Sequence, residues 1–284
     1  MKISSHTFKI VLILGVLVTA GSIYFIKQEF INLHNMTQKV AMVSDPHKTE
    51  TIDLGNNIKM EFILINPASF EMGSALETGD GDESAMHKVT LTKSFYLGKY
   101  EVTQEQWQEI MGTNPSEFKG TKQPVDTISW KDCQIFLSKL QKKTDKKFAL
   151  PTEAQWEFSC RTGTTTRWSF GDSDALIGDY AWTDANAENI THPVGQKKPN
   201  LWGLYDMYGN VQEWCADWYI NPYPSNDATD PLGPSSGDSR VLRGGAWGDS
   251  AINMRSAYRN CNGADGKNNG IGLRCVLLTN KNSH

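Results

Sequence analysis

Ile10–Ile26 is a run of 17 uncharged, mostly apolar residues, within the roughly 17–25 that a helix needs to cross a bilayer core. Lys2 and Lys9 precede it and Lys27 and Glu29 follow. This positive bias on the N-terminal flank predicts a cytoplasmic segment 1–9, a membrane anchor over 10–26 and export of everything after it. Val18-Thr19-Ala20 fits the small-x-small cleavage pattern of a signal peptide. Ile23-Tyr24-Phe25-Ile26 continues the apolar run beyond that point and favours an anchor over a secreted product. Residues 27–58 are polar without a sustained period and read as a stalk. The folded part is expected over 59–279.

Within it, Met60–Ile65 is a short apolar run ended by Pro67, and Val89–Thr92 alternates before Phe95-Tyr96-Leu97 and Gly98; both read as strands. Three helices carry start signals. Thr103 with Gln106, Ser129 with Asp132, and Thr152 with Gln155 have capping-box spacing. The first helix should stop at Gly112 and the third at Gly163. In the second, Trp130, Cys133, Phe136, Leu137 and Leu140 share one face. From Thr164 to Ser239 neither a helix nor a long strand is expected, because turn formers alternate with Trp and Tyr. A loop region of that length needs bound ions or buried aromatics to hold it. The pattern predicts an irregular, loop-rich α+β single domain.

Composition narrows the function. With 284 residues, 39% hydrophobic and 21% charged, the chain is globular rather than disordered. Five Cys are too few for a disulfide-stapled miniprotein. A net charge of −4 without a long basic run argues against nucleic acid as a partner. The six His show neither H-x-x-x-H nor H-E-x-x-H spacing, which removes a zinc or iron triad. G-x-G-x-x-G, the P-loop and G-x-S-x-G are likewise missing.

The most specific stretch is Gly203-Leu-Tyr-Asp-Met-Tyr-Gly-Asn-Val-Gln-Glu-Trp214. Before it come Phe70-Glu-Met-Gly73, Glu101-Val-Thr103 and Leu150-Pro-Thr-Glu-Ala-Gln-Trp-Glu-Phe158. After it come Arg243-Gly-Gly-Ala-Trp247, Arg255-Ser-Ala257 and Gly272-Leu-Arg274. In this order the motifs resemble the formylglycine-generating enzyme (sulfatase-modifying factor) family across most of residues 60–278.

The resemblance implies a domain related to the C-type lectin fold and stabilised by calcium. At the matching positions the ion would be held by Asp206 and Glu213 with the carbonyls of Gly209 and Val211. Asn is commoner in the family at the first position, and Asp keeps an oxygen there. Read without the family, the same stretch is a turn whose carboxylates bond backbone N–H groups. The resemblance implies a second calcium site in the loop Tyr180–Thr191, whose ligands the sequence does not assign. Asp80, Asp82 and Glu83 lack EF-hand spacing and read as a solvated acidic turn.

The family's oxidase chemistry converts a substrate Cys to an aldehyde with oxygen and two Cys that hold copper(I); soft thiolates select that ion. Both Cys belong between the Gly-Gly motif and the Arg-rich stretch. Here Gly245–Arg255 contains no Cys, and Cys261 lies beyond it, so copper is not expected. The resemblance also pairs Cys160 in a disulfide with the C-terminal part, Cys261 or Cys275 being candidates. Cys133 reads as core, and Cys215 has no assigned role. Trp107, Trp130, Trp156, Trp214 and Trp218 should fill the core, whereas Trp202 and Trp247 are candidate cleft walls. Arg243, Arg255 and Arg259 either line an anion-attracting groove or satisfy buried carbonyls.

The expectation is a membrane-anchored, extracytoplasmic (periplasmic) binding or accessory domain. Its partner would be an exported protein, peptide or glycan. The alternative is an oxidoreductase modifying a protein or small molecule through other residues.

Overall fold

In the computed structural model the described residues are 48–75, 79–84, 86–221 and 223–279, all within one compact unit, Pro46–His284. The expected anchor, Ile10–Ile26, lies outside them. Among the described residues no helix is long and apolar enough to cross a membrane.

The strands in chain order are β1 (Thr49–Gly55), β2 (Ile58–Ile65), β3 (Ala68–Met72), β4 (His87–Leu91), β5 (Phe95–Gly98), β6 (Phe148–Ala149), β7 (Gln212–Trp218), β8 (Ala228–Thr229), β9 (Ser239–Arg243), β10 (Asn260–Gly263), β11 (Ile271–Gly272) and β12 (Val276–Leu278). They form three sheets, ordered β1-β2-β5-β12-β6, β10-β9-β7-β11 and β3-β4-β8. Two expectations are corrected. The last residues assigned to the stalk are β1, paired antiparallel to β2 with only Ile52 and Leu54 turned into the core. Inside the supposedly strandless stretch 164–239 lies β7. It is buried on both faces and carries Glu213 and Asp217, so it shows no apolar alternation.

The helices are α1 (Gln104–Met111), α2 (Trp130–Thr144), α3 (Glu153–Arg161) and a single turn, α4 (Ile177–Tyr180). All three capping boxes form, each with reciprocal side-chain and backbone bonds. Gly112 ends α1 in the left-handed region, as expected, while α3 ends one residue early at Thr162. Cys133, Phe136, Leu137 and Leu140 bury the inner face of α2, and Phe136 stacks on Trp107 at 4.9 Å. Trp107, Trp156 and Trp214 are core residues. Trp130 and Trp218 are half-buried and sandwich the Arg240 guanidinium at 3.8 and 3.4 Å.

All five Cys are free thiols, which corrects the implied disulfide. Cys160 packs in the core around α3, its sulfur 3.7 Å from Ser256 Oγ. Cys275 packs in the second core cluster, around α2, and Cys261 lies on β10.

Buried arginines tie these pieces together. Arg259 grips both oxygens of Glu153 at 2.7 and 2.9 Å and reaches the carbonyls of Asp82 and Ile220, both at 2.9 Å. Arg243 bonds Glu157 and the carbonyls of Tyr258 and Ser256. Arg161 bonds Glu157 and the Gly73 carbonyl. Arg243, Arg255 and Arg259 therefore satisfy carboxylates and carbonyls inside the fold. Burial would raise the Glu153 carboxyl, yet Arg259 and Arg243 beside it hold it below its ordinary value. Burial, with the Glu153 charge next, pushes Asp217 up to about 7.

Replacing Arg243 by Leu strips the buried Glu157 Oε2 of its partner and leaves Arg161 as that carboxylate's remaining guanidinium. The expected loss is about 3–5 kcal/mol in the urea-unfolding free energy; a loss below about 1 kcal/mol would show the network to be dispensable. Asp217 gives a pH signature. Its folded value, about 7, lies above the unfolded value of about 3.9. Its stabilising contribution is therefore complete below that unfolded value and is lost as pH rises to about 7. Asp217→Asn should remove this slope, so the wild type loses on the order of 3–4 kcal/mol against the variant between pH 4 and 8. Parallel stability profiles would refute it.

Candidate functional site

The sheet β10-β9-β7-β11 and the loop after β9 enclose a groove of about 670 Å³. Gly244 and Gly245 take φ of 96° and 74°, a region open to glycine at little cost. A Cβ at Gly245 would stand 2.7 Å from the Met254 side chain. This turn folds Ala246–Asp249 back over β7. Asp249 Oδ2 accepts the Ala246 N–H at 2.8 Å and the Gln212 Nε2 at 3.1 Å. Trp247 is fixed by its backbone N–H on the Asn210 carbonyl and its Nε1 on the Asn269 carbonyl, and Phe118 meets its ring edge-on at 5.5 Å. Gln212, Asn260, Asn262, Asn268 and Asn269 supply the amides of the lining.

Trp247 is a cleft wall, as expected. Trp202 is corrected: it is buried against Phe158 at 5.0 Å in the α3 core. Cys261 is the thiol in the groove lining. Burial raises it above its ordinary pKa, against a hydrogen bond with Ser239 and the charge of Arg259. Cys133, Cys160, Cys215 and Cys275 are buried in the cores. The amide lining was overlooked in the sequence, although four Asn between 260 and 269 were a signal.

Behind the groove, the segment from Gly203 to Trp214 makes a tight loop with φ of 54° at Asp206, 74° at Gly209 and 60° at Asn210. A Cβ on Gly209 would stand 2.1 Å from the Trp182 carbonyl, so only glycine fits. Asn210 Nδ2 donates to Glu101 Oε2 at 2.7 Å, and the Val211 N–H donates to Glu101 Oε1 at 3.1 Å. Burial, then the charges of Asp206 and Glu213, lift Glu101 well above its ordinary value. Burial also raises Asp206 to about 6, although Gly195 N–H and Arg274 pull it back.

As a metal centre the four residues differ. Asp206 Oδ1 is buried with no hydrogen-bond partner and fits a cation. Glu213 accepts Arg274 Nε on both oxygens, Arg274 Nη2 on one and Trp156 Nε1 on the other. Its lone pairs are thus engaged, and it supplies charge rather than a vacant oxygen. Three buried carboxyl groups, Glu101, Asp206 and Glu213, face the Arg274 guanidinium, with Lys197 also near Asp206; a dication would favour their charged forms. In the loop Tyr180–Thr191 the Asn186 side chain bonds the Thr183 N–H and the Ala181 carbonyl and closes a turn.

A family model for the sulfatase-modifying factor enzyme 1-like domain matches residues 51–278. Chaperone protein LppX of Paenibacillus barcinonensis is 30% identical, covering 72% of this chain and 86% of that protein. The formylglycine-generating enzyme of Streptomyces coelicolor is 34% identical over 60% of this chain, which spans 57% of that enzyme's length. The solved structure of Treponema denticola variable protein 1 superposes with a TM-score of 0.77 at 30% identity, over 81% of this chain and 99% of that one. The chain belongs to the formylglycine-generating enzyme family, as a member with the sulfatase-modifying factor enzyme 1-like domain.

Proposed function

We propose that this protein is an exported, membrane-anchored accessory member of the family that binds an extracytoplasmic polypeptide in the amide-lined groove and does not oxidise cysteine with copper. The carrying observation is the groove lining: one indole wall, side-chain amides and a single thiol, Cys261. Side-chain amides offer a donor and an acceptor together, which suits the alternating N–H and C=O groups of an extended chain. A fixed indole adds a large rigid face. A single thiol whose proton is held more tightly than usual does not supply the two soft thiolates that two-coordinate copper(I) needs. The resemblance to a protein named as a chaperone supports a polypeptide rather than a glycan. Ile10–Ile26 supports the anchor, and the domain's C-type lectin relationship belongs to the same reading.

In this proposal calcium sits against Asp206, with the Gly209 and Val211 carbonyls beside it and the Glu213 charge behind. When bound, the ion offsets the buried negative charge and fixes the loop under the groove.

Binding is tested with the full chain and fluorescently labelled, unfolded exported polypeptides, with oligosaccharides as the other arm. Trp247→Ala should weaken polypeptide binding by about tenfold or more. Unchanged affinity, or binding of oligosaccharides alone, would count against the reading. The same protein, incubated with a sulfatase-motif peptide, copper(I) and oxygen, should yield no aldehyde by mass spectrometry; an aldehyde that vanishes in Cys261→Ser would establish the oxidoreductase alternative.

For calcium, chelation should lower the melting temperature of the wild type by mass action. Asp206→Ala should shrink that shift. A shift of full size in Asp206→Ala would place the stabilising ion elsewhere.

A further inference from the structure

The turn expected to be solvated, Asp80–Glu83, is partly interior. Among the described residues, Asp80, Asp82 and Glu83 bring carboxylate oxygens within 4.8 Å of one another. Glu83 is fully buried. Its Oε2 accepts Ser74 Oγ at 2.8 Å and Arg255 Nη1 at 2.6 Å. Its Oε1 is buried with no hydrogen-bond partner. Leaving a buried charged oxygen bare costs more than the roughly 1–3 kcal/mol of a neutral group, so this atom calls for a partner.

The surroundings are ordered around it. A Cβ on Gly79 would stand 2.3 Å from Glu83 Oε2 and 1.7 Å from Ser74 Oγ, so the loop closes on the carboxylate only through glycine. Asp82 Oδ2 accepts the Tyr219 hydroxyl at 2.7 Å, and the Asp82 carbonyl accepts Arg259 Nη1 at 2.9 Å. Asp80 Oδ2 accepts Arg255 Nη2 at 3.1 Å. The Asp80 side chain is 60% exposed, which gives the cluster an opening to solvent. Arg255 pairs with two of the three carboxylates, and Arg259, which reaches the Asp82 carbonyl, is matched by Glu153, so the turn keeps a net negative charge.

We propose that the Asp80–Glu83 turn binds a divalent cation of the calcium class, with Glu83 Oε1 and the carboxylates of Asp80 and Asp82 as its protein ligands. All three donors are hard oxygens, and neither His nor Cys joins them, which selects calcium or magnesium over zinc or copper. Three carboxylates from one short loop, open on one side to water, suit the adaptable shell of calcium better than the strict octahedron of magnesium. The bound ion ties Asp80, Asp82 and Glu83 to one another, while Arg259 separately links the Asp82 carbonyl to Glu153 on α3. The site shares no residue with the Asp206 loop.

The test uses the full chain, freed of metal and titrated with terbium(III) under tyrosine excitation, because Tyr219 touches Asp82 and sensitises an ion held there. Calcium stoichiometry is measured in parallel by equilibrium dialysis. Asp80→Asn with Asp82→Asn should abolish the tyrosine-sensitised emission at this turn and remove about one calcium equivalent. Asp206→Asn should leave that emission intact, which separates this site from the calcium proposed above. Melting in chelator shows whether the double variant folds, and Asp82→Asn alone serves if it does not. Equal emission and equal calcium content in wild type and variant would overturn the proposal, as would a wild type that binds neither ion.

Discussion

Charge compensation inside the protein is the constraint on which the rest depends. Arg161, Arg243, Arg255, Arg259 and Arg274 are all buried, and each donates to at least one carboxylate and one backbone carbonyl. Most of these carbonyls lie in loops or at the ends of short elements, where the regular hydrogen-bond ladder stops. A guanidinium presents five donors in a fixed fork, so one side chain can close several turns at once. Glu153 and Glu157 on α3, Glu213 on β7 and Glu83 in the β3–β4 connection are the counter-charges. Such pairs contribute little against an apolar replacement of equal shape, but breaking one strands a charge in the interior. They specify where each loop sits rather than adding much stability.

This places the groove on a firm base. Arg243 ends β9 immediately before the Gly244-Gly245 turn, and Glu213 stands next to Gln212 on β7. The strands that present Gln212, Asn260 and the Trp247 loop are therefore anchored from behind. Trp247 donates its backbone N–H and its Nε1–H to two main-chain carbonyls and packs on Phe118, so the indole face is already ordered. A wall already fixed loses less entropy on binding than a mobile one.

Much of the fold was legible because local physics and the tertiary structure agree. The three capping boxes announce α1, α2 and α3 through side-chain oxygens that the first turns require. The apolar face of α2 is read correctly because it packs on a single core. Legibility failed where burial was polar. β7 was missed because Glu213 and Asp217 sit inside, paired with Arg274 or raised in pKa, so hydrophobicity gave no period. The first strand was missed because only Ile52 and Leu54 face inward. Glu83 was read as solvated because its partner, Arg255, lies 172 residues away. At the candidate site, Trp247 could be anticipated from motif order; Cys261 was read as a disulfide candidate and not as part of the groove. The asparagines could not be anticipated, since their convergence depends on β10 pairing with β9.

The separation of scaffold and lining has a further consequence. Trp247, Asn260, Asn262, Asn268 and Asn269 take no part in the buried arginine–carboxylate pairs. Changing them alters the chemistry of the groove lining without stranding a buried charge. The residues that hold the fold, by contrast, lie one layer below and are coupled to one another. Substitutions in the lining therefore carry little structural cost, while loss of Glu157 or Arg274 would strand a buried charge and disturb the loops that it closes. That asymmetry lets the residues of the arginine pairs stay fixed while the groove lining presents amides, one indole and one thiol.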